Sequence, residues 1–244
     1  MTAPDTARPT KTPQHPESRA SSTKQGPLAA YRALVKAGKV KPEPAQELAA
    51  EKLESLHHAL QDYTPPAAGE GFMGAWKARL GLARRSEEPP QGLYLYGPVG
   101  RGKSMLMDLF FDSAPVRAKR RVHFHAFMAE VHDRLHDWRR ETKGTKADPL
   151  PQLAEEIAEA SWLICFDEFH VVNVADAMIL SRLFEALFER GAVVVATSNW
   201  PPARLYEGGL QRDRFLPFID LLRDRLDILD LGEGTDYRMA RLSD

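Results

Sequence analysis

The sequence predicts an α/β fold: a mostly parallel, five-stranded sheet flanked by helices, with a helical segment ahead of it. Three observations predict it. From Gly92 onward, short apolar runs alternate with amphipathic stretches of helical spacing. The first run leads directly into Gly97-Pro98-Val99-Gly100-Arg101-Gly102-Lys103-Ser104, which fits the phosphate-binding pattern G-x-x-x-x-G-K-[ST]. Two later runs end in Asp167-Glu168 and Ser198-Asn199, and strand ends of this kind are where such a sheet receives its ligand.

The elements follow in order. Residues 1–25 are rich in Pro, Thr, Ser and charge and nearly devoid of large apolar side chains. They cannot bury enough surface to offset chain entropy, so a disordered tail is expected. Residues 26–90 read as a helical segment: Pro27 to Lys36, then Ala45 to Tyr63 after the Pro42-Glu43-Pro44 interruption, then Phe72 to Leu82. Leu48, Leu53, Leu56, Leu60 and Tyr63 give the second helix one apolar side. Ser86-Glu87-Glu88-Pro89-Pro90 is a loop, and residues 91–244 are read as the core. Its strands are expected at Gly92–Tyr96, Arg121–Phe127, Trp162–Phe166, Ala192–Thr197 and Leu226–Leu231. Helices are expected to begin at Met105 and to run over Met128–Thr142, Pro151–Ala160, Ala175–Arg190 and Leu210–Leu222.

Composition narrows the classes. Lys and Arg number 33 against 34 Asp and Glu, a net charge of −1, so no global field draws the chain to nucleic acid or membrane. The single Cys165 lies in an apolar run. It excludes a disulfide framework, reads as a small buried hydrophobe, and points to a reducing cytosol. No stretch is long and apolar enough to span a bilayer. The N-terminus lacks an apolar signal region, and Asp5, Glu17 and several prolines argue against a transit peptide.

The glycine motif carries the chemistry. Gly97, Gly100 and Gly102 let the backbone turn tightly and approach phosphate oxygens without a Cβ in the way. With Pro98, Val99 and Arg101 they form a loop whose N–H groups, backed by a helix N-terminus, favour anions. Lys103 then reaches the β- and γ-phosphates, and the Ser104 hydroxyl is the natural Mg²⁺ ligand. Trp162-Leu163-Ile164-Cys165-Phe166-Asp167-Glu168 is a buried strand ending in two carboxylates. Asp167 belongs to the Mg²⁺ shell, and Glu168 can polarise a water as general base. A small-molecule kinase would not need that second carboxylate, so the pair favours hydrolysis. Asn199 is placed to hydrogen-bond the γ-phosphate or the lytic water.

Other residues stay open at this level. Gln46 reads equally as an adenine contact or as an ordinary loop glutamine. His123, His125, His132 and His136 suggest zinc, but no H-E-x-x-H and no second cysteine accompany them, so packing near the nucleotide is the better reading. Arg139, Arg140, Lys143 and Lys146 make a small basic patch, read as a solvated loop or as a substrate-contacting one.

Several runs are particular enough to carry a resemblance: Val122-His123-Phe124-His125-Ala126-Phe127-Met128, Cys165-Phe166-Asp167-Glu168-Phe169-His170-Val171, Thr197-Ser198-Asn199, and Gly209-Leu210-Gln211-Arg212 through Phe215-Leu216-Pro217-Phe218-Ile219. With the P-loop they make the chain, from about Gly26 to its end, similar to the ZapE branch of the AAA+ ATPases, a branch with mitochondrial members. The resemblance implies an AAA+ core using ATP and Mg²⁺, with Lys103, Glu168, Asn199 and an arginine as catalytic residues. AAA+ rings complete each site with a neighbour's arginine, for which Arg212 is the first candidate, then Arg214, with Arg223 and Arg225 behind them. It also implies a protein partner, the division protein FtsZ in the bacterial case, a cytoplasmic location at the division site, and peripheral membrane association. No nucleic acid is expected as a partner. The family's helical lid is expected to be absent, because the chain ends at Asp244; homo-oligomers would need a lid to be supplied, and turnover is expected to be weak. A nucleotide-gated binding module with little turnover is the competing expectation.

Overall fold

The computed structural model describes residues 25–66, 88–142 and 148–232. The expected N-terminal tail, the helix over Phe72–Leu82, Lys143 and Lys146 of the basic patch, and the chain end where a lid would begin lie outside the described residues.

Among the described residues, two helices precede the sheet: α1 (Pro27–Lys36) and α2 (Pro44–Asp62). Each begins with a proline, whose missing N–H and fixed φ suit a first helical turn. Then come β1 (Gly92–Tyr96), α3 (Lys103–Ser113), β2 (Lys119–His123), α4 (Phe124–Glu141), α5 (Leu150–Ala160), β3 (Leu163–Asp167), α6 (Val174–Glu189) and β4 (Val193–Ser198). Two 3₁₀ turns, Pro202–Arg204 and Arg212–Arg214, lead to α7 (Leu216–Arg225) and β5 (Leu226–Asp230). No helix among the described residues is long and apolar enough to cross a membrane.

The five strands are parallel in the order β2-β3-β4-β1-β5. The strand carrying the glycine loop is therefore separated from the strand carrying Asp167 by β4. Alternate side chains enter two cores. On one face Leu93, Leu95, Cys165 and Val195 pack with Tyr31, Leu53, Leu60, Leu106 and Phe110 of α1, α2 and α3. On the other, Tyr94, Phe166, Val194 and Ala196 pack with Phe124, Phe127, Leu180, Phe184 and Phe218. The helical segment thus shares a core with the sheet. Cys165 is fully buried, and that burial pushes its thiol up to about 12, so it behaves as an inert hydrophobe.

Two expectations are corrected. The strand expected over Arg121–Phe127 ends at His123, and α4 begins at Phe124. The local alternation is real, but Phe124, Phe127, Met128, Val131 and Leu135 recur at helical spacing and are all buried. The helix expected over Leu210–Leu222 starts only at Leu216 and runs to Arg225. Pro217 in its first turn cannot extend a helix backward, because its ring would meet the carbonyl four residues earlier. Gln211, at φ 56°, breaks the chain before it.

Gly92 opens β1 where β4 and β5 close in: an added β-carbon would lie 1.9 Å from the Val194 carbonyl oxygen and 2.5 Å from Leu226 Cδ2. Backbone cannot yield as a side-chain tip can. Gly92→Ala is expected to cost on the order of 1–3 kcal/mol. Thermal unfolding checks this, and an unchanged melting temperature would contradict the packing described.

Candidate nucleotide site

The glycine loop leaves β1 with the Gly97 N–H donating to the Ser198 carbonyl at 3.3 Å. Gly100 and Gly102 sit at φ 84° and 81°, in the left-handed region that side chains strain to enter. That geometry turns the chain round into α3, whose first turn carries Lys103 and an exposed Ser104. Val99, at the loop's crest, is 85% exposed. Lys103 Nζ donates to the carbonyls of Gly97 at 2.6 Å and Pro98 at 2.8 Å. Partial burial lowers its pKa. Neutral carbonyls are weak partners for an ammonium, and charged phosphate oxygens would displace them.

Asp167 is the last residue of β3 and is only 8% exposed. Its carboxylate is held by Arg121, on the adjacent strand β2, with Nε donating at 2.6 Å and Nη2 at 3.3 Å. Arg121 Nη1 also donates to Asp108 on α3. Partial burial works against the guanidinium's charge, but the hydrogen bonds to Asp167 and Asp108 outweigh it, and the arginine is held above its ordinary pKa. Asp108 lies four residues beyond Ser104, on the same side of α3. Ser104 stands in the first turn of the helix that Arg121 ties, through Asp108, to Asp167.

Glu168 follows in a left-handed conformation, φ 54°, with its side chain exposed. A non-glycine residue rarely adopts this, and neighbours must impose it. Here β4 does so. The Glu168 N–H donates to Thr197 Oγ1 at 3.3 Å, and the Phe169 N–H to the Thr197 carbonyl at 2.7 Å. Ser198 Oγ donates to the Phe169 carbonyl at 2.7 Å, while the Phe169 ring is buried against Phe124, with centroids 4.1 Å apart. The turn is pinned, and Glu168 is aimed outward. Asn199 comes directly after β4 and is also exposed. The structure therefore brings Lys103, Ser104, Asp167, Glu168 and Asn199 to the carboxyl ends of β1, β4 and β3.

These donors fit Mg²⁺. The ion takes one or two protein oxygens and completes its shell with phosphate and water. Ser104 and Asp167 supply that number, and no group of three or more His, Cys, Asp or Glu able to hold an ion occurs among the described residues.

Of the remaining candidates, His123 ends β2 in register with Asp167. Arg212 Nη2 donates to the Ala203 carbonyl at 2.5 Å, within its own chain, whereas Arg214 is exposed. His132 Nε2 pairs with Asp176 Oδ1 at 2.6 Å. His123, His125 and His136 are exposed. Sequence reasoning missed Arg121. Its signal was two arginines on a strand beside the apolar run that ends in Asp167, but only strand order makes them neighbours. It also missed Arg101 as a brace, with Nη2 paired to Glu43 at 2.9 Å and Nε donating to the Leu231 carbonyl at 2.7 Å.

A parallel sheet of this order with a glycine loop on one inner strand and an acidic pair two strands away defines a P-loop protein of the AAA+ class. The solved structures it is similar to share that fold: AMPPCP-bound DnaA from Aquifex aeolicus (TM-score 0.50, 13% identity, 82% of this chain and 51% of that one) and a DNA replication initiation factor (TM-score 0.51, 12% identity, 84% and 51%). Residues 25–244 match the AFG1-like ATPase family, and the chain belongs to that family. It is 41% identical over 219 residues to the cell division protein ZapE of Escherichia coli K12, covering 89% of this chain and 57% of that protein. It is 42% identical over 250 residues to lactation elevated protein 1 homolog B of Danio rerio, covering 87% and 50%. The chain thus spans between half and three-fifths of the length of these relatives.

Arg121 and Asp167 have side chains only 24% and 11% exposed, so removing one partner strands a charge. Arg121→Ala is expected to cost on the order of 3–5 kcal/mol. The same change in an Asp167→Asn background should cost clearly less. Denaturant unfolding of the two single variants and the double variant measures the coupling; purely additive effects would contradict it.

Proposed function

We propose that the chain binds ATP with Mg²⁺, hydrolyses it, and couples turnover to a protein partner. The observation that carries this reading is the strand order, which sets Asp167 and Glu168 across β4 from the Lys103 loop. The loop N–H groups and Lys103 would cradle the β- and γ-phosphates, and Ser104 and Asp167 would hold the metal. A metal held by these two residues would supply positive charge opposite the phosphates. Glu168, held outward by its strained turn, would accept a proton from the attacking water. Asn199 would hydrogen-bond the γ-phosphate or that water. Membership of an ATPase family and the complete G-x-x-x-x-G-K-[ST] loop support nucleotide binding and turnover.

The arginine finger of this reading is Arg214, supplied by a neighbouring copy. Arg214 is exposed, whereas Arg212 is half-buried and donates to the Ala203 carbonyl, a neutral contact that a phosphate could displace; exposure is what favours Arg214. The partner is a protein rather than nucleic acid: a net charge of −1 gives no field for phosphate backbones. The likeness to ZapE supports a partner in cell division such as FtsZ, and a cytoplasmic place at the division site. The fish relative supports the mitochondrial side of the family equally well.

Glu168→Gln is expected to lower ATP turnover by roughly 10²- to 10⁴-fold while nucleotide binding persists. Phosphate release and fluorescent-nucleotide titration read the two quantities, and undiminished turnover would reject hydrolysis by this site. For the finger, wild-type specific activity should rise with protein concentration, and Arg214→Ala should flatten that rise without lowering the melting temperature. Arg212→Ala should instead act mainly on stability. If Arg214→Ala keeps the concentration dependence, the assignment fails.

A further inference from the structure

Gln46 stands in the first turn of α2, 5% exposed, against the P-loop. Its Nε2 donates to the Arg101 carbonyl at 3.2 Å. A carbonyl can only accept, so the amide's orientation is fixed: nitrogen to the loop, oxygen turned away. That oxygen, Oε1, is buried and has no hydrogen-bond partner. A buried, unpaired acceptor raises the free energy of the nucleotide-free protein until a donor meets it.

The amide lies against the phosphate loop. A β-carbon on Gly102 would lie 3.0 Å from Gln46 Nε2 and 3.4 Å from Met105 Cε. The amide therefore rests on the last glycine of the phosphate loop, beside a flexible thioether that can yield to a flat ring. Arg101, whose carbonyl anchors the amide, also pairs with Glu43 one residue ahead of α2. The first turn of α2 and the phosphate cradle are thus one braced unit.

We infer that Gln46 is the base-reading residue of the nucleotide site, selecting a 6-aminopurine: Oε1 accepts from the exocyclic N6 amino group while the second Nε2 proton is given to N7. A glutamine amide offers an acceptor and a donor side by side, and adenine's N6/N7 edge is their complement. Guanine presents O6 and N7 there, two acceptors, so its O6 would face Oε1 lone pair to lone pair. The inference rests on the reading of the loop as the triphosphate cradle of an ATP site, and it adds which residue chooses the base.

The test separates base from phosphate recognition. Affinities for non-hydrolysable adenosine and guanosine triphosphate analogues, and for inorganic tripolyphosphate, are measured on the wild-type chain and on Gln46→Ala. The wild type should prefer the adenosine analogue by roughly five- to 150-fold, the range a good bidentate pair provides. Gln46→Ala should bring that ratio close to one by weakening the adenosine analogue, and leave tripolyphosphate affinity unchanged. Loss of all three ligands together would overturn the inference, because Gln46 would then only prop the loop; so would equal wild-type affinity for the two bases. If Gln46→Ala does not fold, the ligand is edited instead: 7-deaza-ATP and inosine triphosphate should each bind the wild type several-fold more weakly than ATP, and parity with ATP would overturn the assignment. Failure of the wild type to bind tripolyphosphate would overturn the triphosphate reading itself, a result distinct from retained phosphate binding without base preference.

Discussion

Everything at the site depends on β4 lying between β1 and β3. Parallel strands present their carboxyl ends along one edge, and a crevice forms where neighbouring connections leave in opposite directions. With β4 inserted, the glycine loop and the acidic pair stand two strands apart, roughly 9–10 Å at ordinary strand spacing. Directly adjacent strands would leave no such width between loop and carboxylates. The intervening strand is also put to use. Thr197 and Ser198 hold the Glu168-Phe169 turn in its unfavourable backbone conformation, and Asn199 emerges beside it. One strand therefore spaces the site, strains the acidic turn and contributes a polar group.

Arg121 shows how an acidic centre survives before its ligand arrives. Asp167 is almost wholly buried, and Arg121 supplies the donors that its carboxylate meets there. The guanidinium spans Asp167 on β3 and Asp108 on α3, so it also ties the sheet to the phosphate-loop helix. A fork of donors on a planar group suits this double contact better than a point charge would. The contact to Asp167 lies along the carboxylate itself. Both oxygens are engaged by the guanidinium, so a cation taking one of them would displace part of that contact.

Much of this was legible in the chain. The glycine spacing, the apolar runs and the carboxylates closing the Leu163–Asp167 strand are local patterns, and local patterns survive folding when packing agrees with them. Where two periods overlapped, the reading slipped. His123-Phe124-His125 alternates like a strand for a few residues, while the longer apolar row from Phe124 to Leu135 obeys the helical period and decides the outcome. Around Leu210 the apolar residues invited a helix, but a left-handed Gln211 and the ring of Pro217 delay it. The arginines at 120 and 121 stand in plain view in the sequence, but the role of Arg121 does not. Its role exists only because β2 and β3 are neighbours, and pairing between strands 46 residues apart leaves no periodicity in sequence.

The same reasoning bears on the residues before β1. A boundary near residue 90 separates helices from strands along the chain, yet not in the packing. Leu53 and Leu60 of α2 share one core with Leu93 and Leu95 of β1, and burial of each such side chain contributes about 1.5–3 kcal/mol. At the end nearest the ligand the joint becomes polar. Tyr31 Oη accepts from the Glu43 N–H at 3.3 Å, Glu43 pairs with Arg101, and Arg101 reaches the Leu231 carbonyl beyond β5. A loop of glycines has little stiffness of its own. Its shape is fixed from outside, by β4 through Ser198 on one flank and by α1, α2 and the end of β5 on the other. The phosphate loop is therefore as rigid as the two helices and three strands that grip it, and the helices ahead of the sheet are structural parts of the site.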